Sequence, residues 1–240
     1  MARSIRPSRR PIATESLMIM VKNFVLVALL ALSALPALAQ QDQQQTVNSA
    51  LTTMERMKNE PSYRESIQPK IDQARALLIV PALYKGGFIF GGQYGNGVLL
   101  AKLPDGNWSY PAFYTMEGGS FGLQIGLEST AVIFTIMSDK GLHAVLNNQF
   151  KFGADTGLTV LVVGAGIGAS TTSNLGADMY AFSMSGIGLY GGLSLEGTVL
   201  STRESWNAVY YNQEVTSRAI VLDNAVSNPK ADSLRDIIGH

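Results

Sequence analysis

Apolar residues recur at helical spacing on either side of a long central region. Val47, Leu51 and Met54 lie three or four positions apart, with charged side chains on the other side, and Pro61 follows. This spacing predicts an amphipathic helix that ends before the proline. The same periodicity predicts further helices over residues 70–77, 203–211, 214–226 and 230–238.

The central region consists of short apolar runs, rich in β-branched and aromatic residues, that turn signals separate. Nine such runs predict strands, over residues 77–80, 88–90, 98–103, 108–116, 121–127, 131–137, 158–163, 179–185 and 189–195. Gly95-Asn96-Gly97 predicts a tight hairpin turn and residues 104–107 predict a second, so the first strands should form an antiparallel meander. One helix interrupts the strands, with Ser138 as its predicted N-cap.

Glycine is concentrated in this central region, because 23 of the 24 glycines lie within residues 86–197. Glycine destabilises a helix by up to about 1 kcal/mol relative to alanine, so long helices are disfavoured there. Within strands, glycine allows a sheet to curve strongly. The sequence therefore predicts an α+β fold with a glycine-rich antiparallel β-barrel-like core and helices packed at both ends, in a single domain of residues 46–240.

The N-terminal segment is typical of a secretory signal peptide. Lys22 precedes an apolar run at residues 24–35 and the Ala-Leu-Ala triplet at 37–39. From Phe24 to Ala39 the segment has 16 residues, which is too short for a membrane-spanning helix, since that needs about 20. We predict a signal peptide over residues 1–39, a flexible polar lead-in over residues 40–45, and a periplasmic or secreted protein that can associate peripherally with a membrane.

Charge and rare residue types exclude several functional classes. The chain has 18 basic and 18 acidic residues, but without residues 1–39 it has 13 basic and 17 acidic residues, a net charge near −4. An acidic body argues against nucleic-acid binding, which depends on Lys and Arg contacts to phosphates. The absence of cysteine excludes disulfides and thiolate chemistry, and His143 and His240 are the only histidines, so no metal site and no cofactor are predicted.

Residues 158–169 resemble the strand and glycine-rich loop of a dinucleotide-binding site, with Gly164, Gly166 and Ala169 at the fingerprint positions. That motif needs a following helix and then a second strand that ends in an acidic residue. The sequence after Ala169 predicts neither, so we interpret the segment as a glycine-rich strand end and loop.

Gly118, Ser120 and Gly122 match the G-x-S-x-G pattern of serine hydrolases, and Asp139 and His143 follow in the order of an α/β-hydrolase triad. The alternating pattern around Ser120 predicts a strand, whereas the hydrolase nucleophile needs a strand-to-helix turn. Asp139 and His143 lie one helical turn apart, which is typical of a surface pair. A serine hydrolase that acts through Ser120 is therefore a minor alternative.

Six short motifs follow one another along the chain. They are ARALLIVP at residues 74–81, GGF at 86–88, GGQYGNGVLL at 91–100, WSYPAF at 108–113, GGSFGLQIG at 118–126 and SLEG at 194–197. Together they resemble the SYLF domain. Tyr210 and Tyr211 also resemble the C-terminal part of the family, so the likeness covers about residues 74–222. Several motifs in register are far more specific than any one of them alone.

The resemblance implies a β-barrel core with packed helices and binding of acidic phospholipids of the phosphatidylinositol type, without catalysis. Eukaryotic members accompany SH3 or FYVE domains and include actin-binding proteins. No amphipathic lipid-associating segment is recognisable over residues 46–60 and no SH3 or FYVE sequence is present in the 240 residues, so actin binding is not transferred. For a secreted protein of bacterial type the expected ligands are envelope phospholipids, and the alternative is a structural or assembly protein that binds another envelope protein.

Lys85 and Lys102 are the candidate residues for binding an anionic headgroup. They flank the hairpin predicted at residues 95–97 and should lie at the same end of the sheet. At about 3.4 Å per residue they would be roughly 10–20 Å apart, a spacing that suits a lipid surface better than a single phosphate. Such exposed charges are screened over about 10 Å at 0.1 M salt, so binding should weaken as salt rises.

Cleavage of the predicted signal peptide gives a mature protein that begins at Gln40. N-terminal sequencing of protein recovered from the cell envelope should therefore read Gln-Gln-Asp-Gln from residue 40 onward. Recovery of envelope protein with an intact N-terminus would contradict the prediction.

Overall fold

The computed structural model describes residues 41–87, 90–121, 126–147, 149–154, 157–163, 176–185, 188–189 and 193–239. Its helices are α1 (Gln41–Lys58), a π-helical turn (Tyr63–Ile67), α2 (Gln68–Gln73), α3 (Asp139–Leu146), α4 (Glu204–Tyr211), α5 (Ser217–Val221), a 3-10 turn (Pro229–Ala231) and α6 (Asp232–Gly239). Its strands are β1 (Ala76–Gly87), β2 (Phe90–Ala101), β3 (Ala112–Phe121), β4 (Gly126–Ile136), β5 (Phe150–Lys151), β6 (Val160–Val163), β7 (Met179–Ser185), β8 (Gly188–Leu189) and β9 (Val199–Thr202).

These strands form one mixed and strongly curled sheet. Its order is β5-β9-β3-β2-β1-β4-β7-β6, and β8 pairs with β7. The first three strands form the predicted antiparallel meander, and β4 returns to pair with β1. Among the described strands, β6 and β7 run parallel and the other pairs are antiparallel. The predicted α+β class with a barrel-like core is confirmed, and the parallel pair makes the sheet mixed.

Hydrophobic side chains are buried on both faces of the sheet, because successive residues of a strand point to opposite faces. Leu78 and Val80 of β1 belong to a first core, to which α3 and α5 contribute. Leu77 and Ile79 belong to a second core, which lies under α1, α4 and α6. The apolar stripe of α1, including Met54, packs into this second core, as the helical spacing predicted.

A β-bulge interrupts the middle of β1. The five steps from Ile79 to Tyr84 lie opposite only four steps of β2, from Val98 to Tyr94, so β1 contains one extra residue. Because the side-chain period of a strand is two residues, one extra residue exchanges the two faces for everything that follows. Leu83 consequently joins the first core, and Tyr84 points toward the face that carries α1.

The hairpin turn predicted at residues 95–97 is wrong, because these residues lie inside β2. β1 and β2 instead pair antiparallel along their length, with Gly87 opposite Gly91. Glycine is required at positions 95 and 97 because β2 runs very close to the bulge in β1 there. A Cβ atom on Gly95 would lie 2.5 Å from the carbonyl oxygen of Ala82, and one on Gly97 would lie 2.5 Å from the carbonyl oxygen of Ile79.

Several elements agree closely with their sequence predictions. The strand predicted over residues 179–185 is β7. α3 begins after Ser138, whose hydroxyl accepts a hydrogen bond from the backbone N–H of Gly141, as expected for an N-cap. The turn predicted at residues 104–107 is present, and the N–H of Leu103 donates to the carbonyl oxygen of Asn107 across it at 2.8 Å.

Other boundaries differ from the prediction. The lead-in predicted over residues 40–45 is helical from Gln41 on, because tertiary contacts hold the start of α1. Gln43 is buried, and the amide of Gln44 donates to the carbonyl oxygen of Lys230 at 3.3 Å. The helix predicted over residues 70–77 is the earlier α2, which ends at Gln73 before β1, and the helix predicted over residues 214–226 shortens to α5.

Within the described part of the chain, no helix combines the length and the apolar character needed to cross a bilayer. The predicted signal peptide lies outside the described residues. Its cleavage and the periplasmic location therefore stay predictions.

The close approach of β2 to the bulge gives a direct test of the fold. The substitution Gly97→Ala places a methyl group against a backbone carbonyl, and we expect it to lower the free energy of unfolding by about 1–3 kcal/mol, the usual cost of overpacking. Chemical denaturation followed by circular dichroism measures the change.

Gly119→Ala is the matched control, because Gly119 is also a strand glycine and nothing lies within 4 Å of the position that its Cβ atom would take. We expect that variant to stay within about 0.5 kcal/mol of the wild type. Equal stability of the two variants would show that the bulge does not require glycine at position 97.

Candidate functional site

A groove of about 530 Å³ lies between α1 and the bulged part of the sheet, and we call it the α1 groove. The first two turns of α1 form one wall of the groove. Pro81 and Ala82 of the bulge and Trp206 of α4 also line it. The lining residues are Asp42, Gln45, Thr46, Ser49, Pro81, Ala82, Tyr84, Tyr94, Asn96, Arg203 and Trp206. Apart from Pro81 and Ala82, all of these side chains carry a polar atom, so the groove suits a polar ligand.

Arg203 is the cationic side chain in the lining, and three neighbours fix its position. Its guanidinium lies over the indole of Trp206, 3.7 Å from the ring centre. Its Nη1 donates to Oδ1 of Asn96 at 3.0 Å, and its backbone N–H donates to the carbonyl oxygen of Phe113 at 2.8 Å. The hydrogen bonds of this guanidinium to described residues come from Nη1, so Nε and Nη2 remain as donors for a ligand.

Asn96 connects the arginine to the aromatic side of the groove. Its Oδ1 also accepts hydrogen bonds from the hydroxyl of Tyr94 at 3.1 Å and from the hydroxyl of Thr115 at 3.0 Å. Tyr94 is the direct cross-strand partner of Tyr84. The two rings are 46% and 56% exposed, respectively, so two large amphipathic side chains stand at the mouth of the groove.

Buried polar contacts hold α4, and with it Arg203, against the sheet. Oδ1 of Asn207 accepts from the backbone N–H of Phe113 at 2.9 Å, and its Nδ2 donates to Glu204 at 2.9 Å and to Ser217 at 3.0 Å. These bonds join α4 to both β3 and α5. Because Asn207 is fully buried, these bonds replace the hydrogen bonds to water that its amide makes in the unfolded chain.

A second contact joins α4 to α1, the opposite wall of the groove. The hydroxyl of Tyr210 donates to Oε1 of Gln44 at 3.3 Å. Burial, followed by the nearby negative charge of Asp232, raises the pKa of Tyr210, so its hydroxyl keeps its proton across the physiological range. This contact between α4 and α1 therefore does not titrate near neutral pH.

The polar face of α1 continues beyond the groove. A second cavity of about 340 Å³ shares Gln45 and Ser49 with the α1 groove and extends to Arg56. Arg56 donates from Nη2 to the carbonyl oxygen of Ser185 at 3.2 Å. At 1.5 Å per residue, the helix rises about 21 Å between Asp42 and Arg56.

The structure separates Lys85 and Lys102, which the sequence placed at one end of the sheet. Lys85 pairs with Gln93 near the β1–β2 connection, whereas Lys102 lies at the other end of β2, opposite Trp108. The nine residues from Gln93 to Lys102 span about 30 Å of strand, because the predicted turn between them does not exist. Lys85 follows Tyr84 and points to the face away from the α1 groove.

The ammonium group of Lys102 has structural contacts. It donates to the carbonyl oxygen of Asp72 at 2.9 Å and lies over the ring of Trp108, 5.9 Å from the ring centre. The two lysines therefore do not form a common patch. Whether either one binds a headgroup stays a prediction.

Ser120 lies within β3, paired with Gly91, and not at a strand-to-helix turn. Asp139 lies on α3 and accepts from Arg75 at 2.8 Å, and His143 is exposed on the same helix. The expectation that Ser120 lies in a strand is confirmed, but β3 ends at Phe121 and β4 begins at Gly126, so the run predicted as one strand over residues 121–127 belongs to two strands. The geometry gives no support to a hydrolase triad. The glycine-rich fingerprint at residues 164–169 lies outside the described residues.

Sequence reasoning missed the residues of the α1 groove. Arg203 and Trp206 were recognised only as parts of a helix, although an arginine three positions before a tryptophan is a pair that can stack at a helix start. Asn96 was assigned to a turn because Asn-Gly is the strongest short hairpin signal. No local pattern brings residue 96 next to residue 203, since that contact depends on the register of β2, β3 and β9.

A family model described as "Ysc84: Las17-binding protein actin regulator" matches residues 117–240. The matched segment includes Arg203 and Trp206, whereas α1 and the β1–β2 hairpin precede it. The match is in line with the SYLF resemblance of the sequence.

Curated proteins from fungi and mammals are similar to the chain over about 70% of its length. Protein YSC84 of Saccharomyces cerevisiae is 30% identical over 171 residues, which are 70% of this chain and 36% of the relative. LAS seventeen-binding protein 3 of the same yeast is 29% identical over 167 residues, 68% of this chain and 36% of the relative. SH3 domain-containing YSC84-like protein 1 of Homo sapiens is 27% identical over 169 residues, 70% of this chain and 49% of the relative. The similar region thus covers less than half of each of these relatives.

Proposed function

The chain belongs to the Ysc84 family, and on that basis we propose that it binds acidic phospholipids at a membrane surface without catalysing a reaction. The SYLF resemblance of the sequence favours lipids of the phosphatidylinositol type. The names of the relatives refer to Las17 binding, an SH3 domain and YSC84, and the family description refers to actin regulation, so none of them names an enzyme. For a periplasmic or secreted protein, these lipids would belong to the cell envelope.

The placement of Arg203 beside the exposed Tyr84–Tyr94 pair is the observation that carries this proposal. The planar guanidinium fork binds phosphate oxygens through two parallel hydrogen bonds. Its stacking on Trp206 fixes the side chain before a ligand arrives, which lowers the entropy cost of binding. Tyrosine rings favour the interface between water and lipid, so the site combines a phosphate contact with two side chains suited to the headgroup region.

Local charge has to provide the attraction, because the chain without residues 1–39 has a net charge near −4. A single guanidinium that hydrogen-bonds a phosphate contributes roughly 1.5 kcal/mol, and salt screens its charge. Binding to acidic vesicles should therefore be modest and should weaken as the salt concentration rises.

The second candidate function is the binding of another envelope protein in a structural or assembly role. The family description and the names of relatives favour it, since they refer to protein partners. A stoichiometric complex with an envelope protein, together with failure to bind any lipid vesicle, would support this function over the first.

Arg203→Gln should weaken binding to acidic vesicles. Loss of a hydrogen-bonded charge contact costs roughly 1.5 kcal/mol, which corresponds to about a tenfold rise in Kd. Co-sedimentation of residues 40–240 with vesicles of phosphatidylinositol in phosphatidylcholine measures the effect, with pure phosphatidylcholine as the neutral reference.

Arg218→Gln is the matched control, because Arg218 is exposed on α5 outside the groove and its substitution removes the same charge. Circular dichroism checks that both variants fold. Equal loss of binding in the two variants would mean that only total charge matters, and failure of the wild type on every acidic vesicle would refute the proposed function.

The lysine prediction is tested on the same vesicles. Lys85→Ala and Lys102→Ala, made singly and together, should each weaken binding if the lysines contact the membrane. Because about 30 Å of strand separates them, their effects should be independent, and the Kd changes should multiply. Unchanged binding in the folded double variant would remove both residues from the site.

A further inference from the structure

The α1 groove carries almost no net charge. Among the described residues that line it, Asp42 and Arg203 are the charged ones, and their charges cancel. Asp42 is exposed in the first turn of α1 and forms no ion pair with another described residue. A headgroup in this groove therefore meets one cation and one carboxylate.

Arg203 provides room for one anionic group. Trp206 covers one face of its guanidinium, and Asn96 and Tyr94 take the Nη1 side. The Nε and Nη2 donors form one fork, which matches the two oxygens of a single phosphate. A second phosphate on the same headgroup would need another cation close by.

The nearest additional arginine along the polar face of α1 is Arg56, at the far end of the second cavity. It lines the second cavity and not the α1 groove, and its Nη2 donates to the carbonyl oxygen of Ser185. Sites for polyphosphorylated ligands use clusters of Arg and Lys. In the α1 groove, the other charged lining residue is Asp42, whose carboxylate repels further negative charge.

The remaining walls suit hydroxyl groups. Gln45, Ser49 and the two tyrosines provide uncharged donors and acceptors, and Trp206 adds a flat ring. Such side chains bind the hydroxyls of a polyol through neutral hydrogen bonds.

We propose that the α1 groove selects headgroups with one phosphodiester and free hydroxyls, such as phosphatidylinositol, over polyphosphorylated headgroups, and that Asp42 sets this selectivity. The inference rests on the proposed function, because it names the lipid class that the same groove takes. Arg203 binds the phosphodiester, the neutral side chains bind the hydroxyls, and Asp42 rejects additional phosphates.

The test compares vesicles that contain phosphatidylinositol with vesicles that contain phosphatidylinositol bisphosphate, both in phosphatidylcholine and matched for total lipid charge. The wild-type protein, residues 40–240, should bind the phosphatidylinositol vesicles at least as tightly. Asp42→Asn should shift the ratio of the two affinities toward the bisphosphate by roughly fivefold, the size expected for one charge near a membrane surface.

Glu55→Gln is the matched control, because Glu55 is exposed on α1 and lies outside the lining of both cavities. It changes the total charge by the same amount and should leave the affinity ratio unchanged. Tighter binding of the bisphosphate by the wild type, or an equal shift in the two variants, would overturn the selectivity while the proposed function stands. Failure to bind either vesicle would overturn both.

Discussion

The extra residue in β1 is the constraint on which the rest of the structure depends. Without it, the residues after Val80 would keep their alternation, and Leu83 and Tyr84 would exchange faces. A leucine would then lie beside the polar wall of α1, and a tyrosine hydroxyl would lie in the first core without a guaranteed partner. The bulge thus completes one core and opens the α1 groove on the other side of the same sheet.

The bulge also explains why glycine is indispensable at two positions of β2. A strand that crosses a bulge approaches its backbone more closely than a regular neighbour does, and at Gly95 and Gly97 this leaves no space for a Cβ atom. Asn96 lies between them and points to the opposite face, where its oxygen joins Tyr94, Thr115 and Arg203. Packing on one face and the arrangement of the α1 groove on the other therefore depend on three consecutive residues.

These residues show how far the sequence predicts the fold and where it stops. Local signals sufficed for β7 and for the Ser138 cap of α3, because each depends on residues that are neighbours in the chain. The family was recognised from several such local motifs in their order along the chain. The turn predicted from the Gly95-Asn96-Gly97 motif was wrong, because the same three residues suit either a turn or a strand that lies very close to its neighbour. Only the register of β1 and β2 decides between the two. The error carried over to Lys85 and Lys102, whose expected proximity depended on that turn.

The lining residues of the α1 groove come from two different parts of the chain. The arginine that would hold an anion and the tryptophan that orients it lie in the segment that matches the family model, whereas Asp42, the tyrosine pair and Asn96 precede that segment. The anion contact needs a fixed guanidinium, which Trp206 and the backbone of β3 provide. In the proposed site, the choice among anions would depend on the charge of the opposite wall, which is an exposed face of α1 that can change without disturbing either core. Binding strength and charge selectivity would then be set by different elements, the first by Arg203 and the second by Asp42.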